Sequence, residues 1–401
     1  MKSPCASKSA NSRRHVAMFA TTAPSHIIPS LALIRELIHR GHRVSYVVGE
    51  PLRALVEPTG ADVIAHSSLL PLGDKSWPED IGEAMQLFLD ESIATLPLAA
   101  RTFVGGNLPD IILYDIGGFS GRVFGHQNNI PSIQLSPAHV AWEGYSDDMA
   151  ETFAAMDKMP TVQSYYRTFN NWLRTNNIQQ DAKEWLGHPE HIIALIPKPM
   201  QPRAERVASN VCFVGPCIDP QRLADTSWES PDKSRRVLLV SFGTAYNDKL
   251  QIYRDCIEGF ANSDWHVVIA IGQRLERSQL GEIPSNVEIF ATAPQLAVLK
   301  RASAFITHAG MGGCSEALWF GVPTIAIPQA VDQFTNADML SALGVGERLD
   351  EKEVTALKLR EAVERISSSI EVREKLDKIS TSVQKNGGID KAVHATERFF
   401  N

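Results

Sequence analysis

The stretch that decides the fold is VAMFATTAPSHIIPSLALIRELIHRGHRVSYVV, residues 16–48. Its first five residues, 16–20, are a short apolar run of the length that suits a buried strand. We expect a loop over residues 21–28 and then a helix, with Pro29 in its first turn and apolar side chains at helical spacing behind it. A second apolar run, residues 44–48, predicts the next strand. Strand, helix and strand in this order predict a parallel sheet with right-handed crossovers.

The same alternation extends along the rest of the chain. Apolar runs of strand length recur at residues 111–114, 132–135, 237–240, 267–271, 287–290, 304–307 and 324–327. A helical, mostly polar pattern covers residues 142–186, and a loop-rich stretch with several prolines follows it. We therefore predict an α/β fold with two parallel-sheet domains, residues 15–218 and 236–385. A linker at residues 219–235 joins them, and a cleft lies between them.

Length and charge narrow the classes of function. With 401 residues the chain is long enough for two or three domains. Its 46 acidic and 39 basic residues give a formal net charge of −7, which disfavours binding to the polyphosphate backbone of a nucleic acid. No apolar run approaches the ~20 residues that a membrane span requires. We therefore expect neither a nucleic-acid partner nor a membrane span.

The cysteines and the first residues indicate the compartment. The five cysteines are scattered and have neither zinc-site nor disulfide-framework spacing: Cys5, Cys212, Cys217, Cys256 and Cys314. Free thiols are typical of a reducing compartment. Residues 1–14 are polar and basic but lack the apolar core of a secretory signal. We therefore expect a disordered lead-in and a cytoplasmic protein.

Two polar residues lie near the carboxyl ends of predicted strands. His26 is in the loop expected after the first strand, and Asp115 closes the strand at 111–114. In a doubly wound sheet both face the edge where ligands bind. A neutral imidazole is a good base near neutral pH, and a carboxylate behind it would fix its tautomer and stabilise the imidazolium. Spacing alone also allows a helix-capping histidine and a loop aspartate without a chemical role.

A denser set of polar residues occupies AFITHAGMGGCSEALWFGVPTIAIPQAVDQFTNADM, residues 304–339. A strand leads into His308, and glycines follow at the turn into a helix: Gly310, Gly312 and Gly313. Backbone N–H groups at such a turn can approach a phosphate, whose charge the helix dipole favours. His308 can donate a further hydrogen bond to a diphosphate. Glu316, about one turn into the helix, can accept hydrogen bonds from ribose hydroxyls.

Two further segments fit the same ligand. Asp332 and Gln333 follow the next strand and offer an acceptor and an amide to hydroxyls further along the ligand. Ser241, Gly243 and Thr244 lie at another strand end and could close over the same phosphates. Ordinary strand-to-helix turns would explain the glycines but not the polar residues placed together with them.

An NAD-dependent oxidoreductase is the competing interpretation of this turn. Gly310-x-Gly312 lies at a strand-to-helix turn, and Asp332 follows about twenty residues later, as in a dinucleotide fingerprint. The third glycine position of that fingerprint is Ser315, however, and a histidine precedes the turn. The fingerprint is therefore only partial.

The pattern HAGMGG…E…GVPTIAIP…DQ, residues 308–333, resembles the nucleotide-sugar signature of the family 1 glycosyltransferases, the UDP-glycosyltransferases. The surrounding PQAVDQFTNADML and the opening H-x-x-P-S-L-A-L are most similar to the bacterial macrolide glycosyltransferase branch. The resemblance extends from Arg14 to the last helix. It implies the GT-B architecture, two Rossmann-like domains of which the first binds the acceptor and the second the sugar nucleotide. It also implies that a C-terminal helix, residues 386–401, returns to the first domain.

The resemblance assigns roles by position. It implies that His26 is the catalytic base and that Asp115 is its partner carboxylate. The donor ligands implied in the same way are His308 for the diphosphate, Glu316 for the ribose, Asp332 and Gln333 for the sugar hydroxyls, and Gln295 near the nucleotide base. These assignments remain expectations that follow from the family pattern.

One position departs from that pattern. Where many relatives have a tryptophan that stacks on uracil, this chain has Thr292. Stacking of a base on an aromatic ring is typically worth ~1–3 kcal/mol. Phe290, two residues upstream on the same strand face, is the candidate replacement ring. The choice between UDP and dTDP therefore stays open.

The implied reaction is an inverting transfer of a hexose, expected to be glucose from UDP-glucose, to a hydroxyl of an apolar small molecule such as a macrolide or polyphenol. The sugar nucleotide is a co-substrate, and we expect no metal and no other cofactor. Residues expected to line the acceptor pocket are Trp77, Met85, Phe88, Trp142, Phe153 and Tyr166. A sugar-nucleotide epimerase and a catalytically silent binding relative are the alternatives. Antibiotic resistance by glycosylation is the expected biology, and a monomer or homodimer the expected assembly.

Overall fold

The first of two parallel sheets lies in the N-terminal half. The computed structural model describes residues 13–71, 77–243 and 247–400, so that most of the expected lead-in, Cys5 and Thr244 lie outside the described residues. The strands of the first sheet are β1 (His15–Phe19), β2 (Arg43–Gly49), β3 (Asp62–His66), β4 (Ile111–Asp115), β5 (Ser132–Ser136), β6 (Ile192–Ala194) and β7 (Val211–Phe213). Their spatial order is β3-β2-β1-β4-β5-β6-β7, and every neighbouring pair is parallel. The order therefore reverses between β1 and β4.

Helices cover both faces of this sheet and bury its strands. All five residues of β1 and of β4 are buried, as expected for continuous apolar strands between two helix layers. The helices are α1 (Pro24–His39), α2 (Arg53–Val56), α3 (Ile81–Thr102), α4 (Phe119–Asn128), α5 (Tyr145–Asp148), α6 (Ala150–Met156), α7 (Pro160–Thr175) and α8 (Ala182–Gly187). The short helix α9 (Pro220–Leu223) lies in the connection to the second sheet.

The second sheet repeats this arrangement with six parallel strands. They are β8 (Arg236–Ser241), β9 (Trp265–Ala270), β10 (Val287–Phe290), β11 (Ala302–Thr307), β12 (Thr324–Ala326) and β13 (Gly346–Arg348). Their order is β10-β9-β8-β11-β12-β13, which reverses between β8 and β11. The remaining helices are α10 (Leu250–Phe260), α11 (Gln295–Leu299), α12 (Met311–Phe320), α13 (Gln333–Ala342), α14 (Ala356–Ser368), α15 (Ile370–Asn386) and α16 (Ile389–Glu397). Ligands of open α/β sheets bind where the strand order reverses, so each sheet has one such point.

The last helix returns to the first sheet, and a buried cluster joins the two halves. In α16, Ala392 and Val393 are fully buried in the core that covers β1 and β2, where α16 packs on α1. The joining cluster contains Val140, Ile192, Ala194, Ile196 and Met200 from the first half and Ala309, Met311, Cys314, Leu318 and Leu340 from the second. The predicted fold class, two Rossmann-like domains with a returning C-terminal helix, is confirmed. The domain and linker boundaries stay a prediction.

The predicted loop over residues 21–28 is wrong, because α1 begins at Pro24. Ala23 before it is extended, with φ −143° and ψ 134°. Pro24 suits the first helical position, where a missing N–H costs nothing and φ is already helical. Pro29 consequently lies inside the helix rather than in its first turn. His26 therefore lies in the first helical turn rather than in a loop.

Four strands had no sequence prediction: β3, β6, β7 and β13. Three of them have only three residues, and β3 is a half-exposed edge strand without a continuous apolar run.

Over the described ranges, no helix has both the length and the apolarity needed to cross a membrane.

Candidate active site at the reversal points of the two sheets

His26 and Asp115 meet at the reversal point of the first sheet. Asp115 is the last residue of β4 and only 1% exposed, whereas the His26 side chain, in the first turn of α1, is 23% exposed. The Nδ1 atom of His26 lies 2.9 Å from Oδ1 of Asp115. Because a carboxylate can only accept, Nδ1 carries the proton and donates it. The Nε2 atom then has a lone pair, the form that a general base requires.

Two further donors fix the carboxylate. The hydroxyl of Thr21 and the backbone N–H of Gly117, the latter at 3.1 Å, both donate to the oxygen that His26 contacts. A side chain at Gly117 would displace the Thr21 hydroxyl, since its Cβ would lie 2.6 Å from the hydroxyl oxygen. Donors from the segments after β1 and after β4 therefore hold Asp115 in one orientation.

The charge around His26 favours its protonated form. Burial by itself lowers the pKa of His26, but the negative charge of Asp115, the hydrogen bond to it and the charge of Asp332 outweigh that effect. The net result is a pKa above the usual value of 6.5. Asp332 belongs to the second half of the chain, so its field on His26 shows that both halves contribute to one electrostatic environment.

At the reversal point of the second sheet, His308 is enclosed between two glycine-containing turns. A Cβ at Gly243 would lie 2.6 Å from its Cε1 atom, and a Cβ at Gly310 would lie 2.5 Å from its Nε2 atom. Gly243 also has a φ of 73°, which glycine adopts without strain. The backbone of Ser241 contacts the same imidazole. Three of the predicted donor residues therefore surround His308.

His308 is a neutral donor or acceptor near pH 7. Burial lowers its pKa to about 4, although Asp332 and the Ser241 backbone act in the opposite direction. Its Nδ1 atom is buried and has no hydrogen-bond partner among the described residues. A buried polar atom without a partner is costly, so a ligand that approaches this nitrogen gains from pairing it.

The helix that follows His308 presents its N-terminus at the same place. Gly310 is the N-cap of α12, and Met311, Gly312 and Gly313 form the first turn. The N–H groups of a first turn have no partner inside the helix, and the helix dipole adds partial positive charge there. Nothing among the described residues lies within 4 Å of where a Cβ at Gly312 would be, so there is open space beside this turn. This turn can hold an anionic group such as a phosphate.

Glu316 is buried and already has two partners. Gln295, from α11, donates through Nε2 to Oε2 of Glu316 at 2.5 Å. Arg222, from α9, donates through Nη2 to Oε1 at 2.9 Å. The sequence analysis named Gln295 and Glu316 but missed Arg222, because the connection between the sheets has no motif that singles it out.

Asp332 and Gln333 begin α13 and have different environments. Oδ2 of Asp332 accepts a 3.0 Å hydrogen bond from Asn336. The buried Gln333 turns its carbonyl oxygen back to accept from the N–H groups of Gln329 and Ala330, so a ligand can only meet its amide nitrogen. Asn336, which the sequence analysis missed, is fully buried and also donates to the carbonyl of Ala309 at 2.9 Å. An asparagine one helical turn after Asp332 was the only signal in the sequence.

Thr292 and Phe290 occupy the region beyond β10. Thr292 is exposed, and Phe290 is half-buried against the hydrophobic cluster that contains α11.

A third histidine, His139, follows β5, and burial lowers its pKa while Asp332 acts in the opposite direction. Its buried Nε2 atom has no partner in the part of the chain that is described. Asp332 thus influences three histidines.

The six predicted acceptor residues do not form a single group. The rings of Trp77 and Phe88 stack with centroids 5.3 Å apart, and Phe88 lines a small cavity together with Thr21 and Gly117, beside Asp115. Met85 packs on the same core as Phe88. Trp142 and Phe153 lie elsewhere and pack around Tyr145. Tyr166 packs on the same core as Met85 and also lines a polar surface groove with Arg167 and Lys183.

The described ranges contain no cluster of metal-ligating side chains, and the cysteines within them are free. No group of three or more histidine, cysteine, aspartate or glutamate side chains within them could hold a metal ion. Cys212, Cys217, Cys256 and Cys314 are free cysteines, and burial raises the pKa of Cys217 to about 12.

Comparison with known proteins identifies the family. Residues 254–386 match the model of the erythromycin biosynthesis protein CIII-like C-terminal domain. The chain is 40% identical to oleandomycin glycosyltransferase from Streptomyces antibioticus over 353 residues, which cover 86% of this chain and 82% of that protein. It is 31% identical to the NDP-glycosyltransferase YjiC of Bacillus subtilis (strain 168), covering 88% and 89% of the two chains.

Solved structures agree. The crystal structure of the kitacinnamycin glycotransferase superposes with a TM-score of 0.89 at 37% identity, covering 96% of this chain and 99% of that one. The relatives are glycosyltransferases, so the oxidoreductase and epimerase alternatives are not retained. The chain belongs to the family 1 glycosyltransferases of GT-B fold, in the branch that contains the macrolide glycosyltransferases.

Proposed function

We propose that this enzyme transfers glucose from UDP-glucose to a hydroxyl of an apolar small-molecule acceptor such as a macrolide or polyphenol. The observation that carries the proposal is the 2.9 Å contact between Nδ1 of His26 and Asp115, which leaves Nε2 as a base. Two relatives support the acceptor class by their names, oleandomycin glycosyltransferase and demethyllactenocin mycarosyltransferase from Streptomyces fradiae. The sugar nucleotide is a co-substrate, and the reaction uses no metal or other cofactor.

The proposed chemistry begins at His26. Its Nε2 atom takes the proton of the acceptor hydroxyl while that oxygen attacks C1 of the sugar from the face opposite the leaving group. The bond between C1 and the phosphate oxygen breaks, and configuration at C1 inverts. Asp115 stabilises the imidazolium that forms, as its effect on the pKa of His26 implies.

The leaving diphosphate carries the developing negative charge. The first-turn N–H groups of α12 are preorganised donors at that position, and His308 supplies another. Glu316 accepts from the ribose, and Asp332 and Gln333 contact the sugar hydroxyls. Such a donor set offsets the charge of a diphosphate without a cation.

Thermal unfolding with UDP, dTDP, GDP and NAD at one millimolar concentration tests the donor. A ligand at a hundred times its dissociation constant adds roughly 2.7 kcal/mol to the free energy of unfolding. We expect UDP to raise the melting temperature most and NAD to leave it unchanged. Stabilisation by dTDP in preference to UDP would contradict the assigned nucleotide, and Thr292 would then be the first position to examine.

An acceptor screen with UDP-glucose tests the transfer itself. We expect release of UDP and a product whose mass is larger by one hexose when a macrolide or polyphenol is present. Tight UDP binding without transfer to any hydroxylated acceptor would contradict the proposal and favour a silent relative that only binds the nucleotide.

A further inference from the structure

Arg222 contacts Glu316, the proposed ligand of the ribose. It lies outside the turns of the second sheet that carry the other proposed ligands of the sugar nucleotide. It lies on α9, a single helical turn in the connection between the two sheets. Its Nη2 atom donates to Oε1 of Glu316 at 2.9 Å, and Gln295 donates to the other oxygen, Oε2, at 2.5 Å. Each oxygen of the carboxylate therefore has one protein donor.

This arrangement leaves room for two more donors. An ionised carboxylate has about four lone-pair positions, two on each oxygen. Arg222 and Gln295 occupy one on each oxygen, so one remains on each. A ribose presents two neighbouring hydroxyl groups, which match the two remaining positions in number and in spacing across the carboxylate. Glu316 can therefore accept a ribose without losing its protein partners.

Burial explains why an arginine is needed. The side chain of Glu316 is 9% exposed, whereas that of Arg222 is 38% exposed. A carboxylate removed from water is costly unless it is paired, and an unpaired one turns towards solvent. That turn would remove an acceptor from the ribose. The guanidinium group pairs with the buried carboxylate and holds it in one orientation.

The position of Arg222 is set by both halves of the molecule. Asp219 caps α9 by accepting from the backbone N–H of Gln221 at 2.9 Å, and its other oxygen pairs with Arg35 of α1. From the other side, Lys300 donates to the carbonyl of Leu223. The helix that carries His26 is thus joined through α9 to Glu316.

We propose that Arg222 is a positioning residue for the sugar nucleotide, which holds Glu316 so that it accepts both hydroxyls of the ribose. The inference rests on the proposed function, because it takes Glu316 as the ribose ligand. Arg222 acts through Glu316, so its contribution appears in nucleotide affinity and depends on the ribose hydroxyls.

The test compares two nucleotides by calorimetry: UDP and 2′,3′-dideoxyuridine 5′-diphosphate. We expect Arg222→Ala to weaken UDP binding about tenfold, the effect of losing one charged hydrogen bond. Binding of the dideoxy nucleotide changes less than twofold, because it lacks the hydroxyls that Glu316 accepts. Arg222→Lys keeps the charge and gives an intermediate loss for UDP. Gln221→Ala, at the exposed neighbouring position, leaves both affinities unchanged.

The first case is a wild-type chain that prefers UDP over the dideoxy form. If Arg222→Ala then weakens the binding of both nucleotides equally, or of neither, this inference is overturned while the proposed function stands. A wild-type chain that binds both equally would remove Glu316 as ribose ligand and overturn the inference with it. A wild-type chain that binds neither would also contradict the proposed function. Circular dichroism establishes that each variant is folded.

Discussion

At the scale of single residues, the reactivity of His26 depends on opposing effects. Burial acts against the imidazolium, whereas Asp115 and Asp332 favour it, and the carboxylates dominate. The base must be neutral before it can accept a proton, so activity rises as the pH rises through the elevated pKa. The ascending limb of the pH profile is therefore expected to have its midpoint above pH 6.5.

Replacing Asp115 by asparagine should move that midpoint to lower pH. The substitution removes the main attraction that raises the pKa of His26, while the effect of burial, which lowers it, remains. The maximal rate should also fall, on the order of 10²-fold, because the amide stabilises neither the required tautomer nor the imidazolium. The measurement is kcat/KM between pH 5 and 9.

Asp110→Asn is the matched control, since Asp110 lies just before the start of β4, at the end of the strand opposite Asp115. Its substitution should leave the midpoint in place. A midpoint that stays put or rises in Asp115→Asn would contradict the assigned pairing.

At the scale of elements, the turn between β11 and α12 contains one residue in a strained backbone conformation, and hydrogen bonds hold it there. Ala309 has a φ of 61°, a left-handed conformation that costs an L-residue roughly 1–2 kcal/mol. Its N–H donates to the Thr307 hydroxyl at 3.2 Å, and its carbonyl accepts from Asn336 at 2.9 Å. Asn336 also donates to Asp332, so helix α13 holds both the turn that is proposed to bind the diphosphate and Asp332, the proposed ligand of the sugar.

Asn336→Ala should lower the free energy of unfolding by about 1–3 kcal/mol, because the buried carbonyl of Ala309 and the half-buried carboxylate of Asp332 lose their donor. It should also weaken UDP binding, since the turn that presents the N–H groups of α12 is no longer held. Urea denaturation and calorimetry are the measurements. Asn386→Ala, at an exposed position of α15, serves as control and should change stability by less than about 0.5 kcal/mol. Wild-type stability in Asn336→Ala would disprove this role of the amide.

The sequence predicted those elements in which local patterns coincide with tertiary packing. The runs before His308 and at residues 111–114 are continuous apolar strands, and the structure has β11 and β4 there. The start of α1 was missed because two prolines, Pro24 and Pro29, both suit a first turn, and only packing selects between them. Arg222 could not be found, because it lies in the connection between the sheets, where no motif singles it out, and its partner is 94 residues away in sequence.

At the scale of the whole molecule, the C-terminal helix connects the end of the chain to the domain that carries His26. Ala392 and Val393 are fully buried with residues of α1. Arg40, the residue that follows α1, pairs with Asp390 at 2.7 Å and with Glu397 at 3.3 Å. The family resemblance predicted this return. Composition and periodicity predicted only a final helix, because they carry no information about which surface it covers.

Val393→Ala should lower the free energy of unfolding by about 2 kcal/mol. The substitution removes two buried carbon atoms and leaves a cavity in the core over β1 and β2. Arg398→Ala, at an exposed position just after the same helix, should change stability by less than about 0.5 kcal/mol. Equal effects of the two substitutions in urea denaturation would contradict the docking of α16 on the first domain.

The most direct test of the central claim is the rate of sugar transfer by His26→Ala with UDP-glucose and an acceptor that the wild-type enzyme glycosylates. We predict that turnover falls on the order of 10²–10⁴-fold, the usual contribution of a positioned base. The affinity for UDP, measured on the same variant, should stay within about twofold of wild type, because the proposed donor contacts come from the second sheet and its connection. Unchanged turnover with intact UDP binding would contradict the assignment of His26 as the base.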